Sequence, residues 1–303
     1  MCNSSGLHRI CPLCEATLAS PFLQKKDMTL VRCETCGMIY LNPVSAGMAG
    51  THYNKLGESY YLSAEKLESD YASVRFEREL RLFQRFCPRG AVLDVGCSTG
   101  AFLFQLKSRG NYQVVGADVS KPALEHARSR GLEIIAGSFL EHDFGGRCFD
   151  AITFWAVMEH LLEPKKFLSK AATLLKPGGC CFILVPNMKS LAVRLLGAKY
   201  RYIYPEHVNY FTAGTLKRFS SLEGPFEIVA SGSMHFNPIV IWQDFRGGGE
   251  FVSEQNRGAL LKRTTTYKQN PVLRPIKIIY TGVERVLGSL GLADNLFIVL
   301  RRK

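Results

Sequence analysis

The stretch Val92-Leu93-Asp94-Val95-Gly96-Cys97-Ser98-Thr99-Gly100 constrains this chain more than any other. An apolar strand beginning at Ala91 runs into an acid, then a glycine turn, then the start of a helix. Gly96 and Gly100 let the backbone turn tightly and approach a neighbour where a Cβ would stand in the way. Strand, turn and helix in this order aim free N–H groups and a helix N-terminus into one crevice. The pattern therefore announces a ligand site at the end of a strand.

The chain downstream keeps the rhythm that such a site needs. Residues 112–117 read as a second apolar strand ending in Asp118. Residues 121–130 read as a helix, with Ser120 as its cap, Pro122 in its first turn and Gly131 past its end. Strands follow at 132–136, 149–154 and 180–185, with helices at 101–109 and 163–175 and a turn at Lys176-Pro177-Gly178-Gly179. A helix over 67–86 precedes the series. Strands alternating with helices imply an α/β fold, doubly wound, with a mostly parallel sheet covered on both faces. Beyond Pro186 the reading is helices at 190–196 and 212–222, a strand at 226–231 and a final, antiparallel strand at 295–300. Gly247-Gly248-Gly249 and Thr264-Thr265-Thr266 read as loops, and 275–290 as a basic amphipathic helix.

Near the start, Cys11-Pro12-Leu13-Cys14 and Cys33-Glu34-Thr35-Cys36 are two C-x-x-C knuckles separated by eighteen residues. Two knuckles at this spacing close a four-thiolate tetrahedron around structural Zn2+, with no open position for chemistry. Cys2, Cys87, Cys97, Cys148, Cys180 and Cys181 show no such pairing and read as buried small apolar residues. The domain reading is a zinc ribbon at 1–41, a linker or lid at 42–66 that folds over the active site, and a main domain at 67–303. The main domain carries a substrate-cap insert around 188–212 and a second insert around 238–292. No signal-peptide core opens the chain and no run approaches the ~20 apolar residues of a membrane span, so the expectation is cytoplasmic. Net charge of +12 favours anionic partners, and by itself does not choose among phosphorylated metabolites, nucleic acid and an acidic membrane face.

Asp118 lies 22 residues after Gly96, about where a doubly wound fold places a carboxylate on a ribose hydroxyl. Ser98 and Ala101 stand where a dinucleotide fingerprint has glycines, and no Lys-Ser/Thr follows Gly100 as in a P-loop. A pyrophosphate is poorly served. A ligand with a ribose and a charged amino-acid end suits an acid on either side of the turn. With Gly116-Ala117-Asp118-Val119-Ser120, Phe149-Asp150-Ala151-Ile152, Met158-Glu159-His160, Leu175-Lys176-Pro177-Gly178-Gly179 and Val185-Pro186-Asn187, the stretch resembles the class I S-adenosylmethionine-dependent methyltransferases from about residue 67 to 229. The resemblance implies a Rossmann-like methyltransferase fold. It implies that Gly96, Cys97 and Gly100 pack against the cofactor with Asp94 near its methionine end, and that Asp118 and Val119 meet the ribose. Ser138-Phe139 would sit by the adenine, and Phe154-Trp155 would border the sulfonium. Ser98 departs from the family's middle glycine, and Ser138 from its usual adenine-binding acid. The cysteine ribbon, the Glu-His after the fourth strand, and Pro205-Glu206-His207 before Phe211-Thr212 are similar to ubiquinone-biosynthesis-type and sugar or secondary-metabolite O-methyltransferases.

A hydroxyl acceptor needs a base with a pKa near the working pH. His160 and His207 are the candidates, and Glu159 either orients His160 or helps it hold a divalent cation. No Asn/Asp-Pro-Pro-aromatic or Pro-Cys follows Phe154, which disfavours N- and C-methylation of nucleic acid. The leading expectation is methylation of a hydroxyl on a small molecule or a glycan or lipid-linked precursor. The alternatives are an RNA methyltransferase gripping its substrate with the ribbon and basic surface, and a non-catalytic module. Retention of Asp94, Gly96, Gly100 and Asp118 argues against the last. Val272, Ile276, Ile279, Val283, Val286 and Leu287 line one face of the late helix, beside Arg274, Lys277 and Arg285. That face is expected to pack on the sheet, the other reading being peripheral contact with an anionic membrane.

Overall fold

The computed structural model describes residues 6–44, 60–222, 224–247, 251, 253–270 and 274–303. Two sheets organise them. The larger has seven strands in the order β10-β11-β8-β7-β4-β5-β6. At its centre β4 (Gly90–Val95) runs parallel to β7 (Phe149–Trp155) and β5 (Tyr112–Asp118). β6 (Glu133–Ala136) and β8 (Leu175–Pro186) extend this parallel set. β11 (Asn295–Arg302) runs antiparallel between β8 and β10 (Phe226–Met234), so the strand that comes last in the chain lies inside the sheet.

Successive residues of these strands feed opposite layers. Leu93, Ile152, Ile183 and Ile298 join one apolar cluster, while Val92, Ala151, Phe182 and Val299 join the other. Both faces being covered is why the strands read as continuous apolar runs. The second cluster is closed by α2 (Glu77–Phe86), α3 (Ala101–Lys107) and α4 (Lys121–Ser129), and the first by α5 (Pro164–Leu174) and α7 (Ala213–Leu222).

The smaller sheet joins the cysteine ribbon to the main domain. β1 (Ala19–Lys25), β2 (Met28–Cys33) and β3 (Ile39–Leu41) are followed in space by β9 (Asn209–Tyr210), which comes from beyond β8. Ile39 pairs with Tyr210 and Tyr40 with Asn209. Arg9 reinforces the joint, donating to Val208 O at 3.1 Å, Leu162 O at 2.9 Å and Asn209 Oδ1 at 3.2 Å. The ribbon is thus part of the main body and not a bead on a tether.

Several local expectations need correction. The span 67–86 is two helices, α1 (Ala64–Tyr71) and α2. The Gln105 amide donates to the carbonyls of Asp70 and Ala72 there, and Ala72 is extended. Lys176-Pro177-Gly178-Gly179 is a bulge inside β8, between the pairs Phe149–Leu175 and Ala151–Cys180. Thr264, Thr265 and Thr266 lie within α9 (Glu254–Gln269), where the hydroxyls of Thr264 and Thr266 donate to carbonyls one turn back. Ser120 makes no side-chain cap. Cys148 is exposed. Residues 45–59 of the linker, Cys2, Gly248, Gly249 and Val272 fall outside the described residues.

The remaining helices are α6 (Leu191–Leu196), α8 (Pro238–Arg246) and α10 (Arg274–Ser289). The apolar face of α10 does not lie on the sheet: Ile279, Val283 and Val286 are exposed. Its buried side carries Glu284, paired with Arg78, and the hydroxyl of Tyr280 donates to Phe236 O. Among the described residues no helix is long and apolar enough to cross a membrane.

Gly100 and Gly131 separate two costs of a side chain. Both are left-handed, at φ +76° and +73°. A Cβ on Gly131 would meet nothing within 4 Å, whereas one on Gly100 would stand 2.3 Å from Leu132 Cδ1 and 3.1 Å from Ala127 Cβ. Gly131→Ala should therefore cost about 1–2 kcal/mol from backbone strain alone. Gly100→Ala should cost roughly 1–3 kcal/mol more from overpacking. Urea unfolding of the two variants checks the difference, and equal losses would contradict it.

Candidate active site

The glycine turn holds three left-handed residues in five: Gly96, Ser98 and Gly100, at φ +78°, +50° and +76°. A serine at the middle position bears a strain that a glycine would not. Asp118 fixes the turn from the end of β5. One carboxylate oxygen accepts from Ser98 N at 2.8 Å and the other from Ser120 N at 2.9 Å. Burial raises the Asp118 pKa against the opposing pull of these N–H donors. A carboxylate offers about four lone-pair sites, so capacity remains for a ligand hydroxyl. The Ser98 and Ser120 hydroxyls are buried without a protein partner, which fits a polar ligand at this crevice. From above, Tyr71 of α1 donates to Thr99 O at 2.5 Å and lays that helix on the turn.

Asp94, at the end of β4, is buried and accepts from Thr153 Oγ1 at 2.6 Å. Burial pushes its carboxyl up to about 7, against the pull of that hydroxyl. Gly96 and Gly100 leave room for the chain's own side chains: Val157 Cγ2 lies 2.5 Å from where a Cβ on Gly96 would stand, and Gly100 admits Leu132. Cys97 is buried, its sulfur against Gly116. The rings of Phe139 and Phe154 are buried and packed edge-on at 6.1 Å, with Phe139 also stacked on Phe167. Trp155 turns to the opposite layer, against Phe102 and Phe182, with a buried Nε1 that has no partner. Val119 is exposed and Ser138 half-buried.

Beyond Val157 the chain makes a 3-10 turn, Met158–His160, that the β9 segment pins in place. Val208 N donates to Glu159 O at 2.8 Å. The Asn209 amide donates to Met158 O at 2.9 Å and Leu161 O at 2.6 Å. This brings His207 to His160, with ring centroids 4.6 Å apart, although 47 positions separate them in the chain. His160 Nδ1 faces Glu206 O at 2.8 Å and His207 Nδ1 faces Tyr202 O at 3.0 Å. Carbonyls only accept, so both Nδ1 atoms carry hydrogen, and in a neutral ring the lone pair is then on Nε2. Glu159 is buried with neither oxygen hydrogen-bonded, and burial pushes its carboxyl up to about 8. Burial, then His160, drives the His207 pKa well down. At 3.9 Å His207 Nε2 and Glu159 Oε1 are thus uncharged neighbours and not an ion pair.

The three ligand atoms of Glu159, His160 and His207 lie within 4.8 Å of one another, as do the four sulfurs of Cys11, Cys14, Cys33 and Cys36. The trio lines a cavity of about 580 Å³, whose walls include Ala156, Leu184 and Pro186 at the strand ends. The segment 156–160 thus separates two spaces, with the glycine turn on the Val157 side and the cavity on the Glu159 side. The far wall holds a second acid–imidazole pair, His235 Nε2 to Glu79 Oε1 at 3.1 Å. Sequence reading missed that pair, Arg9, Asn209 and the Thr153 hydroxyl. Only Thr153, a lone hydroxyl in an apolar strand, carried a local signal.

A family model described as a methyltransferase domain matches residues 67–221, half of the chain. The chain belongs to this methyltransferase family. A ubiquinone biosynthesis O-methyltransferase of Caulobacter vibrioides is 31% identical over 172 residues, covering 49% of this chain and 64% of that protein. One from Dinoroseobacter shibae is 36% identical over 117 residues, 36% of this chain and 47% of its own. The chain therefore spans between about half and two thirds of the length of these curated relatives. A SAM-dependent methyltransferase of Thermotoga maritima superposes with a TM-score of 0.53 at 16% identity, covering 82% of this chain and all of that one. Another from Archaeoglobus fulgidus gives 0.51 at 17%, covering 83% and 100%. At such identities these two show the fold. S-adenosylmethionine is the cofactor that goes with the family, and the Asp118 crevice fits it.

Asp94 gives the site a pH signature. Its folded pKa, about 7, exceeds the unfolded 3.8, so folding binds a proton between those values and stability falls as pH rises through that window. In Asp94→Asn the loss between pH 4 and 7 should be smaller by about 1 kcal/mol or more. Thermal melts of both proteins across this range check it, and identical slopes would contradict it.

Proposed function

We propose that this chain transfers the methyl group of S-adenosylmethionine to a hydroxyl of a small molecule or of a glycan or lipid-linked precursor. The observation that carries the reading is the position of Glu159, His160 and His207 on a cavity wall, with Glu159 two residues past Val157, the side chain beside the glycine turn. The cofactor, when bound, supplies an already activated methyl on a sulfonium. What the protein adds is position and a proton acceptor. Asp118 takes the ribose hydroxyls with its spare lone pairs, and the turn's backbone holds the remainder. Asp94 lies near the methionine end. His160, half-buried with Nδ1 facing Glu206 O, removes the acceptor proton at Nε2. His207, kept neutral by burial, positions it. The relatives named above act in ubiquinone biosynthesis, which supports a small hydroxylated acceptor over RNA.

His160→Ala should lower kcat about 10²-fold or more while binding of S-adenosylhomocysteine, measured by calorimetry, is unchanged. The assay is an isotope-labelled methyl screen of hydroxylated aromatic and sugar acceptors. Full activity in both His160→Ala and His207→Ala would remove the base assignment.

Two metal readings accompany it. Four sulfurs within 4.8 Å support a structural zinc ion at Cys11, Cys14, Cys33 and Cys36. Native mass spectrometry should find one zinc, absent from Cys11→Ser/Cys33→Ser. Because β3 pairs with β9, methyl transfer should fall in that variant too. The bare, buried Glu159 beside two Nε2 lone pairs also supports a divalent cation that would acidify the acceptor hydroxyl. Magnesium or manganese titrated into the protein should give heat that Glu159→Gln abolishes. No heat with either ion leaves the base reading alone.

A further inference from the structure

Among the described residues, the outward faces of α8 and α10 are apolar and uncovered. On α10, Ile279, Val283 and Val286, with Leu290 just beyond, recur at helical spacing, and each is between 45% and 71% exposed. On α8, Ile239, Trp242 and Phe245 are exposed, the last two at 55% and 67%. Single exposed apolar residues are ordinary, but two helices each presenting a row are not.

The charges on these helices are sorted by direction. α8 contains one acid, Asp244, and α10 contains one, Glu284. Both are buried and paired, Asp244 with Arg201 at 2.6 Å and Glu284 with Arg78. Arg246 and Arg285 face outward, and Arg246 lies over the Trp242 ring at 4.3 Å. Every charge that α8 and α10 show to solvent among the described side chains is therefore positive, on a chain of net charge +12. Basic groups beside aliphatic and tryptophan side chains match the boundary of an anionic bilayer. A second copy of the chain fits less well, because a two-fold contact would set these arginines against one another.

The inner faces of the same helices wall the cavity, through Val240 of α8 and Tyr280 of α10. We propose that α8 and α10 dock this protein on an anionic lipid surface, side by side with the cavity wall, so that an amphiphilic acceptor can enter from the bilayer. The docking is independent of which hydroxyl is methylated.

The test uses the full chain and vesicles of phosphatidylglycerol and phosphatidylcholine in equal parts, at about 0.1 M salt. The protein should sediment with these vesicles and much less with phosphatidylcholine alone. Val283→Glu/Val286→Glu should reduce its partition about tenfold or more with an unchanged melting temperature, since both side chains are exposed. The tryptophan emission should shift blue on adding the mixed vesicles, and Trp242→Phe should abolish that shift. Wild type left in the supernatant, a double variant that sediments like wild type, or a shift that survives Trp242→Phe overturns the proposal. So does a wild-type dimer in solution that the double variant dissolves, which would assign the face to a second copy. Loss of methyl transfer with vesicle binding intact would instead count against the function proposed above and leave the docking standing.

Discussion

Two residues of β9 hold the candidate site together. Asn209 and Tyr210 add a fourth strand to the cysteine ribbon, while the Asn209 side chain and Val208 N–H grip the turn that carries Glu159 and His160. The backbone of β9 thus serves the smaller sheet, while the Asn209 side chain and the neighbouring Val208 N–H serve the turn after β7. Loosening either partner releases both, because Arg9 bonds to the same three-residue stretch from the ribbon side. The ribbon's fold and the geometry of the imidazole pair become a single cooperative unit.

The cavity electrostatics follow from burial without compensation. Glu159 sits among aromatic and imidazole rings, and burial outweighs the pull of its own backbone N–H, so its charge is expelled. Glu79, across the same cavity, is equally buried, yet His235 and Arg75 hold it down at about 2 despite desolvation. Two glutamates in one chamber thus carry opposite charge states at neutral pH. Opposed carboxyl states across a cavity are how a protein offers a donor at one end and an acceptor at the other.

The parts of the fold legible in the sequence were those set by local rules. The glycine turn, the acid at the end of each of two strands and the strand–helix alternation follow from period and turn chemistry, and the sheet order obeys them. The two cysteine knuckles were legible from spacing, and their sulfurs converge. What escaped depended on distant partners. The break after Tyr71 is imposed by Gln105, more than thirty residues on, and the Glu79–His235 pair spans 156 positions. Phe139 and Phe154 were read by position in a motif; their rings lie in the core, Phe154 from strand β7 and Phe139 from the turn after β6. The amphipathic pattern of α10 was read correctly as a pattern and wrongly as to direction. Periodicity identifies an apolar face and says nothing of what covers it; here the Arg78–Glu284 pair claims the inward side.

The place of β11 bears on how the molecule is made. Every other strand of the large sheet is already synthesised when residues 295–302 appear, yet these residues separate β8 from β10. At ordinary elongation speeds, on the order of ten seconds pass between the emergence of β8 and that of its neighbour. Throughout that interval β8 presents an open, apolar edge of the kind that recruits strands from other chains. The nascent sheet is thus open at its middle and not at its rim until residues 295–302 pair with β8 and β10.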